Sequence, residues 1–120
     1  MIYRLAEPAD WHRAQHAGVF VSADLAAEGF IHCSERHQIG RTAQKHFAGI
    51  TGLILLEIGE SVLGETLVRE NLTGTGFFPH IYGPIPLRAI HGYIEFNPAI
   101  ATDQYLTDLK FCTVHPINTD

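Results

Sequence analysis

The segment Leu53-Ile54-Leu55-Leu56-Glu57-Ile58 restricts the fold more than any other part of the chain, because five of its six residues are aliphatic and they occupy both parities. A strand with one face in water alternates apolar and polar residues, whereas a run that is apolar on both parities has to be covered on both faces. This segment is therefore a central strand with other elements above and below it. It is far too short to cross a bilayer, and no charged, apolar and small-residue leader pattern opens the chain, since Met1-Ile2-Tyr3-Arg4 runs straight into strand-like sequence. With 120 residues, 46% of them hydrophobic and 18% charged, the chain has the material for one domain with a real core and no need of staples. Lys plus Arg is 8 against 13 for Asp plus Glu, a net charge of −5. That balance argues against DNA, which needs clustered cations, but leaves room for a local cationic pocket. Cys33 and Cys112 lack any paired-motif spacing and read as reduced thiols. The expectation is a cytoplasmic protein with neither a membrane nor a nucleic-acid partner.

Around the central strand, Ile2 to Leu5 predicts a first strand, and Pro8 suits the first turn of a helix whose stripe is Trp11, Ala14 and Ala17 and whose stop is Gly18. Val19 to Ser22 is extended, and Ser22 is placed to cap a short turn ended by Gly29. Phe30 to Cys33 predicts a second strand. Ser34 is expected to cap a helix running to about Ala48, with Ile39, Ala43 and Phe47 on its apolar side. Thr66 to Glu70 and His80 to Tyr82 predict further strands, separated by a polar, glycine-bearing loop, and Ile90 to Phe96 predicts the last strand. Residues 1–96 then form the domain. Residues 97–120 are an extension, with Thr102 capping a short helix around Tyr105 and Leu109 and a tail through Pro116. Helices early and strands late give an α+β fold with a mainly antiparallel sheet and two main helices packed on it.

Histidine is the residue in excess, at eight in 120, and it is the side chain most easily moved across neutral pH. His12 and His16 share a helix face, but Arg13 stands where the catalytic zinc-helix motif requires Glu. His37, His46, His91 and His115 have no recognisable partners in the sequence. His32 and Ser34 point to one side of a strand that leads into a helix, an arrangement able to hold an anion, while simple capping by Ser34 explains it equally. His80 and Tyr82 likewise project together from Phe77-Phe78-Pro79-His80-Ile81-Tyr82-Gly83-Pro84, with prolines fixing both ends. Phe78 is able to stack a planar ring or to plug the core. Glu70 ends a strand, where a carboxylate can act as base or ribose ligand. Phosphate loops of the Walker and dinucleotide types and the nucleophile elbow are absent from the sequence. Cys33 beside His32 makes a poor nucleophile pair, because neighbouring strand residues face opposite ways.

Four blocks, Met1-Ile2-Tyr3-Arg4-Leu5, Leu25 to Ser34, Leu55-Leu56-Glu57-Ile58 and Phe78 to Leu87, resemble a small bacterial family known as domain of unknown function 952, over roughly residues 1–96. The resemblance implies an ADP-ribosylation-like scaffold, a split, mainly antiparallel sheet shared with ADP-ribosyltransferases and tRNA 2′-phosphotransferases. It implies that Arg4 stands on the strand that holds a dinucleotide. It further implies that Phe30 to Ser34 lines the nicotinamide side of a cleft, and that Phe78 to Tyr82 matches the late strand bearing the transferase glutamate. At that place this chain has His80.

The expected function is a cleft that binds a nucleotide-like or phosphate-bearing small molecule, NAD-like in class, with an ADP-ribosyl- or phosphotransferase-like enzyme as the alternative. His32 and His80 are the acid–base candidates. Arg4, Ser34, Glu70, Phe78 and Tyr82 are the ligand-binding candidates. A metal site built on His32 and His80 is a further alternative, although neither has a cysteine or acidic neighbour at a diagnostic spacing.

Overall fold

A computed structural model describes residues 1–114. In chain order the elements are β1 (Ile2–Ala6), α1 (Pro8–Ala17), β2 (Val19–Phe20), α2 (Ala23–Glu28), β3 (Ile31–His32), α3 (Ile39–His46), β4 (Leu53–Ile58), β5 (Leu67–Glu70), β6 (Phe78–Ile81), β7 (Ile85–Pro86), β8 (Ile90–Phe96), α4 (Asp103–Thr107) and β9 (Cys112–Thr113). Every pairing between these strands is antiparallel. They form a four-stranded sheet in the order β1-β4-β8-β9, a three-stranded sheet in the order β3-β6-β5 and a small β2-β7 ribbon. The molecule is thus a mixed α and β fold with few helices. None of the described helices is long and apolar enough to cross a membrane.

The aliphatic run sits inside the larger sheet as β4, and its two parities divide the core. Leu56 and Ile58, with Ile2 and Ala6 of β1, meet Trp11 and Ala14 of α1 together with Phe20, Ile31, Ile81 and Ile85. Leu53 and Leu55, with Tyr3 and Leu5, meet Ile39 and Ala43 of α3 together with Phe96 and Leu106. Burying both sets of side chains is the main driving force, about 1.5–3 kcal/mol for each large aliphatic removed from water. Gly18 and Gly29 end α1 and α2 in the left-handed region, at φ 83° and 87°, which a residue with a Cβ adopts at a cost.

Three local expectations are corrected. Ser34 does not cap α3. Its backbone is taken by β1, with Tyr3 N donating to Ser34 O at 2.9 Å and Ser34 N to Tyr3 O at 2.7 Å. The entry into α3 is instead a 3-10 turn over Arg36–Gln38, with the Glu35 amide donating to Gln38 Oε1 at 2.9 Å. α3 ends at His46, earlier than Ala48. β8 is not the last strand, because β9 pairs with its outer edge through Gly92↔Thr113 and Tyr93↔Cys112. The segment after Asn97 does hold the short helix, α4, capped by the Thr102 hydroxyl accepting from Tyr105 N. Its Leu106 belongs to the second core cluster. His115 and the tail through Pro116 lie outside the described residues.

Candidate functional site

The small sheet is where the sequence-derived candidates meet. In β3 and β6, Ile31 pairs with Ile81 and His32 with His80. Both isoleucines are fully buried in the core, so strand alternation sends both histidines to the opposite face. β5 lies on the other side of β6 with Val68 opposite His80 and Glu70 opposite Phe78, which brings Glu70 diagonally beside His80. The chain beyond β6 stays attached to β5 through Tyr82 N donating to Thr66 O at 2.8 Å, and it carries Tyr82 to the same region.

Each imidazole is held by a carboxylate. His32 Nδ1 lies 3.0 Å from Asp24 Oδ2, and His80 Nδ1 lies 2.8 Å from Glu70 Oε1. An ionised carboxylate can only accept, so Nδ1 donates in both pairs and each neutral ring carries its lone pair on Nε2. The His32 and His80 ring centroids are 5.3 Å apart, edge to face. Phe30 stacks on His80 at 4.1 Å and lies 4.8 Å from His32 and 5.2 Å from Tyr82, forming the apolar wall. The side chain of His80 is 7% exposed and that of His32 46%, so one ring is buried within the cluster and the other lies at its solvent edge. At that edge, His32 Nε2 is 3.4 Å from Glu28 Oε2, an attraction that operates only when His32 is protonated.

Asp24 is the most heavily bonded group. It accepts from Arg4 Nη1 at 2.6 Å, from His32 N at 2.9 Å and from the Ser22 hydroxyl, besides the His32 ring. Burial, the largest single influence, opposes its charge. The hydrogen bonds from His32 and Ser22 and the guanidinium of Arg4 outweigh it and hold the carboxyl well below the usual range. The Glu70 carboxyl is also lowered, first by the Tyr82 hydroxyl donating to Oε1 and then by His80, and the Tyr82 phenol is raised in return. Cys33 is buried in the core, and burial pushes its thiol up to about 12, the behaviour of a packing residue.

His32, His80, Glu70 and Tyr82 therefore converge in one side-chain cluster. Arg4 joins it through Asp24 and the His32 backbone, with its side chain 12% exposed and its Nη1 donating to Asp24 and to the His32 carbonyl at 2.9 Å. Its Nε is buried without a partner. The guanidinium braces the site through Asp24 and the His32 carbonyl. Ser34 stands outside the cluster, with its hydroxyl donating to Thr42 Oγ1 at 3.2 Å. Phe78 is half-buried and lines a neighbouring groove with Glu35, Gln38 and Arg41. Asp24 and Glu28 are the members that sequence reasoning missed. They sit on a six-residue helix whose spacing to the histidines carries no motif, and only the packing of α2 against β3 delivers them. Among the described residues no group of three or more His, Cys, Asp or Glu side chains is disposed to hold a metal ion.

Among solved structures, the chain is similar to protein CC0527 from Caulobacter crescentus. The X-ray structure of that protein is 36% identical, covers 80% of this chain and 85% of its own, and has a TM-score of 0.75. Its solution NMR structure, also 36% identical, covers 80% of this chain and 84% of its own with a TM-score of 0.71. No curated protein matches the chain. Residues 5–93 match the family described as "Protein of unknown function (DUF952)". The chain belongs to the DUF952 family.

Proposed function

We propose that the His32–His80 cleft binds a nucleotide-like small molecule, NAD-like in class, through its ribose. The observation that carries this reading is the pairing of His32 with His80 across β3 and β6, each ring fixed by its own carboxylate. In that state the two rings offer acceptors at Nε2, and Glu70 Oε2 has no intramolecular partner among the described residues. Vicinal hydroxyls are donors suited to such a set. Charge favours the same choice. Arg4 is matched by Asp24, which leaves Glu28 and Glu70 uncompensated while the imidazoles are neutral. An uncharged sugar is accommodated there more readily than a phosphate.

The resemblance to ADP-ribosylation-like scaffolds supports this reading. The carboxylate such transferases carry on a late strand is replaced by His80, but Glu70 on the adjoining strand brings a carboxylate within hydrogen-bond distance of it. A second reading, transferase-like catalysis, rests on the same dyad, because a histidine backed by a carboxylate is a competent general acid or base. His80 would act as the acid–base group, with His32 at the mouth.

The test is a titration of the protein with adenosine, ADP-ribose and NAD, followed by histidine-ring NMR and thermal shift. A ligand at 100 times its Kd stabilises by about 2.7 kcal/mol. The expected result is a shift of the His32 and His80 resonances that is lost in Glu70→Gln, with the His32 shift lost in His80→Ala as well. A protein silent towards every riboside overturns the binding reading. Binding of NAD with no nicotinamide released above the His80→Ala background overturns the catalytic one.

A further inference from the structure

We infer that the groove beside Phe78 is a second subsite of the same cleft, one that takes the phosphate of a nucleoside phosphate on Arg41 and its base on Phe77. The inference rests on the ribose-binding reading given above. The groove has a volume of about 610 Å³ and runs between the first turns leading into α3, which supply Glu35, Gln38 and Arg41, and the Thr75–Phe78 segment, a size within the usual range for small-molecule sites.

Its charge is opposite to that of the histidine centre. Glu35 is paired with Arg69, whose Nε and Nη2 donate to its two carboxylate oxygens at 2.6 Å and 3.3 Å and which it shares with Glu60, 2.9 Å from Nη2. Arg41 forms no ion pair among the described residues, nor does His37 on the same wall. In a chain of net charge −5, this wall presents an uncommitted guanidinium, the side chain best matched to phosphate oxygens.

The groove also presents an aromatic ring to solvent. Phe77 is 64% exposed, yet its backbone is anchored, with Gln38 Nε2 donating to Phe77 O at 2.8 Å and Gly76 N donating to Asn71 Oδ1 at 3.2 Å. A solvent-facing ring on an anchored backbone offers a stacking platform for a planar base. Phe78 joins the two subsites. It is the register partner of Glu70 and lies two residues before His80 on one strand, so the groove begins about 7 Å from the histidine centre, at roughly 3.3 Å per strand residue. A ligand with hydroxyls at one end and a phosphate and a base at the other matches this succession of an anionic acceptor set, an aromatic wall and a cation.

The experiment compares adenosine, 5′-AMP and inorganic phosphate on the full chain, on Arg41→Gln and on Phe77→Ser. Both positions are exposed, and amide spectra confirm that each variant keeps the fold. The expected result is that AMP binds about tenfold more tightly than adenosine, the margin of one charge-assisted contact. That margin vanishes in Arg41→Gln and shrinks with added salt, while adenosine affinity is unchanged there, and Phe77→Ser weakens both adenosine and AMP. Inorganic phosphate should perturb Arg41 and leave His80 in place. The inference is overturned, with the ribose reading intact, if adenosine still shifts His32 and His80 but AMP binds no more tightly, or if Arg41→Gln keeps the margin. Absence of any riboside response at the histidines overturns both.

Discussion

At Asp24 one carboxylate receives a guanidinium, an imidazole, a backbone amide and a hydroxyl. Replacing it with asparagine leaves the guanidinium of Arg4 buried without its counter-charge. Breaking one half of a largely buried pair is costly, so Asp24→Asn should lose about 3 kcal/mol of unfolding free energy in urea. The pH dependence follows from the lowered carboxyl. In the unfolded chain an aspartate takes up its proton near its ordinary value of about 3.9, while in the native protein it does so at a lower pH. Its contribution is therefore fully present above pH ~4 and is lost as the pH falls towards the native value. The gap between wild type and Asp24→Asn should narrow below pH 4, and a gap that stays constant from pH 5 down to pH 3 would refute the assignment.

The elements act through the alternation of β3 and β6, which sends Ile31 and Ile81 to the core and His32 and His80 to the opposite face. Ile81→Ala should leave a cavity under the site and cost about 3 kcal/mol in chemical unfolding. Val68, the register partner of His80, is 37% exposed, and Val68→Ala should stay within about 0.5 kcal/mol of wild type. Equal costs at the two positions would mean that the small sheet is not anchored to the core in this way. The sequence showed this alternation in Phe30 to Cys33 and in His80 to Tyr82, because the period of two is local. It gave no register, since pairing His32 with His80 requires β6 to lie antiparallel beside β3 across the intervening β4 and β5.

Across the whole molecule, the segment after Asn97 covers the second face of the large sheet. Leu106 packs there with Tyr3, Ile39 and Phe96, Arg36 Nη2 donates to Leu106 O, and β9 covers the edge of β8. A chain truncated after Phe96 should unfold at lower temperature, with a loss of ~3 kcal/mol or more from the uncovered core, and should self-associate through the bared β8 edge. Size-exclusion chromatography and calorimetry check this. A monomer with unchanged Tm would show that residues 1–96 suffice as the domain.

Local chemistry determined the central strand, the glycine stops of α1 and α2 and the exposure of histidines on short alternating strands, because each depends on residues within one or two turns of chain. Ser34 departs from its expected role for the same reason: capping is a local preference, and the competing partner, the backbone of Tyr3, comes from β1, 31 residues earlier in the chain. The conversion of Arg4 from an expected ligand into a brace for Asp24, the recruitment of Asp24 and Glu28, and the closeness of Glu70 to His80 were decided by tertiary structure alone. Charges choose their partners by distance in space, and no spacing along this chain encodes those distances.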